Sequence, residues 1–232
     1  MLEAKSLAAW YGQTPALFDV SVTVRPGQVL ALVGTNGGGK STTVRSIMGL
    51  IRSTGSIKVN DVEMSEWPTH QRVQEGRIAV VHESSNLFGE LTVTDNLFLG
   101  LRNASEDRLQ EVQHIFPIIA ERPKALVGTL SGGQRQMVAL GKAFLSNPNF
   151  LLLDEPTLGL SPAMVDVVYQ TLAEFTSRNI GVLLIEQNIQ RAASFATDIQ
   201  LISIGRSEPP IPTTDVARVG HLQLLAFGND ER

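Results

Sequence analysis

The stretch GTNGGGKST, Gly34 to Thr42, follows the apolar run VLALV and is the most informative segment of this 232-residue chain. It contains G-x-x-x-x-G-K-[ST], the phosphate-loop (Walker A) motif, with Gly34, Gly39, Lys40 and Ser41 in the fixed positions. The residues before it predict a buried strand, and those after it predict a helix. Because glycines let backbone N–H groups turn around a phosphate chain, and a helix amino terminus adds partial positive charge, the stretch predicts a phosphate-binding loop.

Positions within this loop have predicted roles in nucleotide binding. The ammonium of Lys40 would reach the β- and γ-phosphates, and the hydroxyl of Ser41 would ligate Mg²⁺. Asn36, Gly37 and Thr42 complete the predicted nucleotide-binding set. The alternative is a glycine-rich turn beside a surface lysine, but the strand before the loop and the helix after it favour the phosphate loop. The motif indicates a nucleoside triphosphatase without saying which one.

A second motif, FLLLDEP, supplies two carboxylates after an apolar run. Because a carboxylate at the end of a buried strand is costly without a cation or donors, Asp154 is predicted to hold Mg²⁺. Glu155 follows it and could orient or polarise the water that attacks the γ-phosphate. The alternative is an acidic pair stabilised by the dipole of a following helix. The phosphate loop upstream favours the catalytic interpretation.

Composition narrows the class of protein. Hydrophobic residues make up 43% and charged residues 18% of the chain, which is enough apolar material for the core of one compact unit. The formal net charge of −4 does not favour binding to nucleic acid or to an anionic bilayer through bulk charge. The absence of cysteine excludes disulfides and thiolate metal sites and agrees with a reducing compartment. No signal peptide is expected, and no run approaches the roughly 18 apolar residues of a membrane span.

The order of predicted elements indicates an α/β fold. VSVTV and VLALV are predicted strands joined at Pro26-Gly27, and FLLLD and GVLLIE are typical of central parallel strands covered on both faces. A mostly helical middle is expected from Thr94 to about Ile119, with Pro117 as a breaker. Near the carboxyl end, the three prolines of SEPPIP predict a loop followed by a short helix.

A third motif, LSGGQRQ at residues 130–136, lies between the phosphate loop and FLLLDEP. Alone, this stretch could be a loop in which Ser131 caps the next helix. In the order phosphate loop, LSGGQ, LLLDEP, however, the chain resembles the nucleotide-binding subunits of ABC transporters over roughly residues 5–204. The resemblance implies a RecA-like parallel-sheet core with an antiparallel β subdomain and a helical subdomain at about 84–147. It places one such domain at 1–205 and leaves a divergent, proline-rich tail at 206–232.

The resemblance also implies a dimer. In this family two domains hold two ATP molecules head to tail, each nucleotide lying between the phosphate loop of one subunit and the LSGGQ of the other. A chain with one copy of each motif therefore needs a second ATP-binding subunit, identical or different. The signature residues implied to bind nucleotide are Ser131, Gly132, Gly133 and Gln134, of which Ser131 and Gly133 would offer donors to the γ-phosphate.

Four further positions match slots of the family. Tyr11 in AWYG matches the aromatic residue that stacks on adenine, although Tyr11 or Trp10 could instead close the edge of the core. Glu83 stands where the usual residue is glutamine; it could ligate Mg²⁺ but, when ionised, could not donate a hydrogen bond. Gln187 takes the slot of the switch histidine and can still donate to the γ-phosphate. Ser161 stands where many relatives have aspartate.

The departures at Glu83 and Gln187, with DEPTLGLSP and IFPIIAERPKALVGTLSGGQRQM, resemble one subgroup, the LivF-type ATP-binding subunits of branched-chain amino acid importers and their relatives for amides and urea. The subgroup implies an ATPase on the cytoplasmic face of the membrane, working with permeases, a second ATP-binding subunit and a substrate-binding protein. No nucleic-acid partner is expected. Two alternatives stay open: a non-transport ABC ATPase acting as a regulatory or interaction module, and a phosphate-loop kinase, which would leave LSGGQ without a role.

Overall fold

A parallel sheet forms the centre of the structure, a computed structural model that describes residues 1–82, 86–101 and 105–227, the last three by their backbone alone. Its strands carry the continuous apolar runs of the sequence, as expected of strands covered on both faces. In spatial order they are β6 (Ile78–Val81), β7 (Phe150–Asp154), β8 (Gly181–Glu186), β3 (Val29–Val33) and β9 (Asp198–Ser203).

An antiparallel group extends this sheet on the side of β9. Its strands are β1 (Leu2–Tyr11), β2 (Thr14–Val24), β4 (Arg52–Val59) and β5 (Val62–Glu63). A two-residue strand, β10 (Arg206–Ser207), joins the two parts because it pairs with β2 on one side and β9 on the other. A further short strand, β11 (Ile211–Pro212), pairs antiparallel with β9. The predicted α/β class with an antiparallel β subdomain is confirmed.

Helices cover both faces of the sheet, and those between β6 and β7 form a helical layer in the region predicted as the helical subdomain. The helices are α1 (Lys40–Ile47), α2 (Thr69–Gln74), α3 (Val93–Phe98), α4 (Glu106–Ile115), α5 (Pro117–Glu121), α6 (Gly132–Leu145), α7 (Pro162–Ser177), α8 (Ile189–Ala193) and α9 (Val216–Phe227). Pro117, expected only as a helix breaker, is the first residue of α5. Proline is tolerated there because the N–H groups of the first helical turn have no partner within the helix. No helix of the described ranges combines the length and the apolar character needed to span a bilayer.

Alternation along β3 divides the core into two clusters. Val29, Ala31 and Val33 face one cluster, which contains the apolar faces of α6 and α7. Leu30 and Leu32 face the other, which contains α1 and the antiparallel strands. Burial of both faces explains why β3 is apolar at every position, and it fixes the direction in which its carboxyl end points.

The carboxyl ends of four parallel strands lie at the same edge of the sheet. β3 ends at Val33 before the phosphate loop, β6 ends at Val81, β7 ends at Asp154 and β8 ends at Glu186. In open α/β sheets this edge is where ligands bind. The fold therefore places the predicted functional segments side by side.

The segment after residue 205 packs against the core. Pro212 lies in β11, at a sheet edge where its missing N–H does no harm. The helix predicted after the prolines is α9, whose Leu222 is buried in the larger core cluster, with Val219 packed against the same cluster. The described part of the proline-rich tail thus contributes to the hydrophobic core.

Arg72 on α2 holds the end of the helix that follows the phosphate loop. Only 3% of this residue is exposed, and its guanidinium donates to the backbone oxygens of Ser46 (3.0 Å), Ile47 (2.7 Å) and Trp67 (2.8 Å). It also donates to the backbone oxygen of Ser65. At the end of α1, Arg72 thus supplies a donor to the carbonyl of Ile47 and a second donor to that of Ser46, which also accepts from the N–H of Gly49 at 3.0 Å.

Replacing Arg72 with methionine should therefore lower the free energy of unfolding by about 3 kcal/mol, because buried carbonyl groups lose charge-assisted hydrogen bonds. Urea denaturation with an unchanged m-value would measure this. The matched control is Arg122→Met, at an exposed position, which should change the unfolding free energy by less than about 0.5 kcal/mol. Equal effects of the two substitutions would contradict the assigned role of Arg72.

Candidate functional site: a phosphate loop at the edge of the sheet

The phosphate loop connects β3 to α1, as the sequence predicts. Gly34 and Gly39 have φ angles of 151° and 115°, a region that L side chains rarely adopt. A Cβ on Gly34 would lie 2.1 Å from the backbone oxygen of Ile202, and one on Gly39 would lie 2.7 Å from Cδ2 of Leu17. Both the backbone angles and the close neighbours therefore require glycine at these two positions. Asn36 and Gly37 are exposed at the turn of the loop.

Lys40 lies beneath this loop with 4% of its surface exposed. Its ammonium donates to the backbone oxygens of Gly34 (2.9 Å) and Thr35 (3.0 Å). Burial lowers the pKa of Lys40, while the carboxylates of Glu155, Asp154 and Glu186 oppose that change. A cation is thus held at the loop, balanced by three carboxylates from the neighbouring strand ends.

Ser41 and Asp154, the two described residues predicted to hold Mg²⁺, are in contact. The Ser41 hydroxyl donates to Oδ1 of Asp154 at 2.9 Å, although 113 residues separate them in the chain. Burial raises the pKa of Asp154, and the hydrogen bond from Ser41 opposes this effect. A hydroxyl and a carboxylate are the hard oxygen ligands that Mg²⁺ prefers. The described residues contain no cluster of three or more His, Cys, Asp or Glu suited to a metal.

Glu155 and Gln187, predicted to act on water and on the γ-phosphate, also meet. The Gln187 amide nitrogen donates to Oε2 of Glu155 at 2.7 Å. Glu155 has a φ angle of 50°, which is uncommon outside glycine, and its backbone N–H donates to the oxygen of Ile185 at 3.2 Å. The backbone bond and the side-chain bond hold Glu155 against the strand that precedes Gln187.

Tyr11 stands beside the helix that follows the loop. Its hydroxyl accepts a hydrogen bond from Arg45 at 2.9 Å and lies 3.4 Å from the hydroxyl of Thr42. The residue is 42% exposed, and the guanidinium of Arg45, on the helix after the loop, lies 6.0 Å from its ring centroid. Trp10 is less exposed, and the guanidinium near its ring, at 5.3 Å, is that of Arg52 on β4, away from the loop and its helix. The geometry favours Tyr11 over Trp10 as the aromatic residue beside a bound nucleotide.

The signature Ser131–Gln134 begins α6. Ser131 accepts a hydrogen bond from the N–H of Gln134 and donates its own N–H to the Gln134 side chain, which is a capping box. Ser131 and Gly132 are exposed, and Gly133 packs closely on Met164 of α7. Among the described residues, the signature makes no hydrogen bond to the phosphate loop of the same chain.

A family model described as "ABC transporter" matches residues 17–158, more than half of the chain. This chain belongs to the ABC transporter family. Its members are ATP-binding cassettes that hydrolyse ATP, so this ABC subunit binds ATP and is an ATPase. The predicted family and fold class are both confirmed.

Relatives of this ABC subunit carry names for branched-chain amino acid transport and for lipopolysaccharide export. The high-affinity branched-chain amino acid transport ATP-binding protein BraG of Pseudomonas aeruginosa is 36% identical over 211 residues, 89% of this chain and 90% of BraG. The lipopolysaccharide export system ATP-binding protein LptB of Escherichia coli is 31% identical over a 240-residue alignment that covers 100% of this chain and 98% of LptB. A solved structure described as an ATP-binding subunit of an ABC transporter matches with a TM-score of 0.82 and 28% identity, over 96% of this chain and 94% of that one.

Sequence reasoning missed two residues at the site of this ABC ATPase. His82 follows β6, and its pKa is lowered by burial, an effect that the Asp154 carboxylate opposes. Glu186 ends β8 and is 4% exposed. Their position at the carboxyl end of a strand beside the phosphate loop was the available signal. The predicted contact of Glu83 with Mg²⁺ lies outside the described residues.

Proposed function

We propose that this ABC subunit uses Mg²⁺ and ATP to power an importer for branched-chain amino acids or related amides. One observation carries the catalytic part of the proposal: Lys40, the Ser41–Asp154 pair and the Glu155–Gln187 pair converge at one edge of the sheet. A cation, a magnesium-ligand pair and a carboxylate for water are the parts that phosphoryl transfer to water requires.

In this mechanism the protein forms no covalent bond to the nucleotide; it orients the reacting groups and stabilises charge with its own side chains and backbone N–H groups. Lys40 and the N–H groups of the loop hold the β- and γ-phosphates, and Tyr11 stacks on the adenine. Ser41 and Asp154 would hold Mg²⁺, which would supply positive charge to offset the charge that develops on the phosphate oxygens. Glu155 orients the attacking water and takes its proton, and Gln187 donates to the γ-phosphate.

A second ATP-binding subunit completes the site in this proposal. The exposed amino terminus of α6 in one subunit would present Ser131 and the N–H groups after it to the γ-phosphate held by the other. ATP would hold the two subunits together, and hydrolysis would release them.

Membrane permeases are the proposed partners, with this subunit lying on the cytoplasmic face of the membrane. A groove of about 750 Å³ runs between the helical layer and the core, lined by residues that include Val73, Arg77, Leu101 and Arg108. The helical layer and its loops also expose four large apolar side chains, which the proposed contact with a permease would bury. These are Phe88, Phe98, Leu99 and Leu126.

The substrate assignment rests on resemblance. BraG, and the probable LivF of Archaeoglobus fulgidus at 35% identity over 89% of this chain, carry names for branched-chain amino acid transport. The match to LptB spans the full chain but is 31% identical. Lipopolysaccharide export is therefore the second candidate function.

Deleting the gene in the host organism should lower uptake of labelled leucine, isoleucine and valine at least about tenfold. The wild-type gene should restore uptake, and the Glu155→Gln gene, which lacks the proton acceptor, should not. Uptake of an unrelated amino acid such as proline is the control. Unchanged uptake together with a loss of lipopolysaccharide from the cell surface would show that the chain serves export and would overturn the importer assignment.

A further inference from the structure

A buried carboxylate next to the switch residue has no role in the mechanism above. Glu186, the last residue of β8, is 4% exposed and immediately precedes Gln187. Every other residue of β8 is apolar or glycine and buried. Because an ionised carboxylate in such surroundings is costly, its hydrogen bonds must offset the loss of water.

Two hydroxyl groups satisfy the same oxygen of Glu186. Oε1 accepts from the hydroxyl of Thr157 at 2.6 Å and from that of Tyr169 at 2.8 Å. Both donors are themselves buried, with 4% and 1% of their surface exposed. Short bonds from hydroxyls to an ionised carboxylate are among the stronger hydrogen bonds in proteins.

Tyr169 anchors this carboxylate to the body of the protein. It lies on α7, and its ring stacks on Phe195 with a centroid distance of 3.8 Å and an angle of 3° between the ring planes. Burial raises the pKa of Tyr169, and the charge of Glu186 adds to that effect, so the phenol keeps its proton and remains a donor. Glu186 is therefore fixed from the side of α7, independently of the loop that follows Glu155.

Thr157 belongs to that loop. Only Pro156 separates it from Glu155, whose side chain accepts the hydrogen bond from Gln187. The segment 155–157 is thus tied to the segment 185–187 by three hydrogen bonds: Glu155 N–H to Ile185 oxygen, Gln187 to Glu155, and Thr157 to Glu186. Of the two side-chain bonds, only the Thr157–Glu186 bond joins two buried residues.

Beyond Thr157 the loop is held by backbone turns, in which the N–H of Leu158 donates to the oxygen of Glu155 and the N–H of Leu160 to the oxygen of Thr157, both at 3.2 Å. Leu158 is 55% exposed, and Gly159 has a φ angle of 72° with open space around it. The backbone of Glu155 is in the left-handed region, a conformation that persists only where neighbouring contacts enforce it. The Thr157–Glu186 bond lies where it can supply that enforcement.

We propose that Glu186 is a positioning residue for ATP hydrolysis: its buried carboxylate holds Thr157, and through it keeps Glu155 oriented toward Gln187 and the attacking water. The inference rests on the proposed roles of Glu155 and Gln187. Glu186 does not touch the nucleotide in this scheme, so its influence falls on the rate of the chemical step and not on ATP affinity.

The decisive variant is Thr157→Val, which removes the hydroxyl and keeps the branched shape. It should lower kcat for ATP about tenfold to a hundredfold, since small misplacements of catalytic groups have effects of this size, while the Kd for ATP changes less than about twofold. Thr157→Ser, which restores the donor, should recover kcat to within about threefold. The matched control is Thr171→Val, which removes another buried hydroxyl with a hydrogen bond of 2.8 Å, to Val167 on the same helix.

Thermal unfolding separates positioning from stability. If Thr157→Val and Thr171→Val lower the Tm equally and both keep the parent kcat, the Thr157–Glu186 bond is structural only and the inference is overturned. A low kcat in Thr157→Val with a parent kcat in Thr171→Val supports it. Glu155→Gln in the same assay tests the underlying mechanism: if that variant is inactive while Thr157→Val hydrolyses ATP at the parent rate, only the role of Glu186 is wrong.

Discussion

Replacing Glu155 with glutamine should leave ATP binding intact and lower the rate of ATP hydrolysis at least about a hundredfold, the usual contribution of a general base. Glutamine has the shape of glutamate, and its oxygen can still accept the hydrogen bond that Gln187 now donates to Oε2 at 2.7 Å. It cannot take a proton from water. Because the backbone of Glu155 is held by Ile185, the substitution should change chemistry and not geometry.

The measurement is single-turnover hydrolysis of ATP with Mg²⁺, together with an ATP-binding titration of the same preparation. Repeating both over a range of protein concentration shows whether activity climbs as a second copy becomes available. The control variant, Glu121→Gln, changes an exposed carboxylate of α5 and should keep the parent rate. Hydrolysis at the parent rate by Glu155→Gln would show that the proton goes elsewhere and that the proposed mechanism is wrong.

Sequence alone was sufficient for the parts of this site that local constraints define. Gly34 and Gly39 are required by backbone angles and close neighbours, so the motif has the same meaning in any strand-to-helix context. The meeting of Ser41 and Asp154 across 113 residues was also predictable, because parallel strands bring their carboxyl ends to one edge. Pattern and topology together thus placed the phosphate loop and the Ser41–Asp154 pair that is proposed to hold Mg²⁺.

The remainder depends on tertiary contacts that no sequence period reveals. The four backbone oxygens bound by Arg72 come from α1 and from the segment 65–67, so nothing near Arg72 in the sequence announces them. In the sequence, Glu186 is only the polar last residue of an apolar strand, and nothing there indicates that the hydroxyls of Thr157 and Tyr169 donate to it. The choice between Trp10 and Tyr11 likewise depended on where Arg45 and Arg52 lie.

Replacing Lys40 with alanine should weaken ATP binding at least about a hundredfold. The substitution removes a buried cation that faces the predicted phosphate site, and losing one partner of such a charge pair costs about 2–5 kcal/mol. It also leaves the carboxylates of Asp154, Glu155 and Glu186 without the cation that now balances them, so an anionic nucleotide would meet uncompensated negative charge. Lys40→Arg should not restore affinity, because a guanidinium is larger and branched and the site is 4% exposed.

Isothermal titration calorimetry with ATP measures the affinity, and a control variant distinguishes this effect from a general loss of structure. The control variant, Lys124→Ala, removes an exposed lysine and should keep the parent affinity for ATP. Circular dichroism of Lys40→Ala in the absence of nucleotide should match that of the parent and show that the variant is folded, even where the loss of the balancing cation lowers its Tm, whereas the stabilisation of the parent by added ATP should disappear in the variant. Undiminished affinity in a folded Lys40→Ala protein would mean that Lys40 does not contact the nucleotide. The three carboxylates beside it would then need another counter-charge, and the phosphate-loop assignment would be wrong.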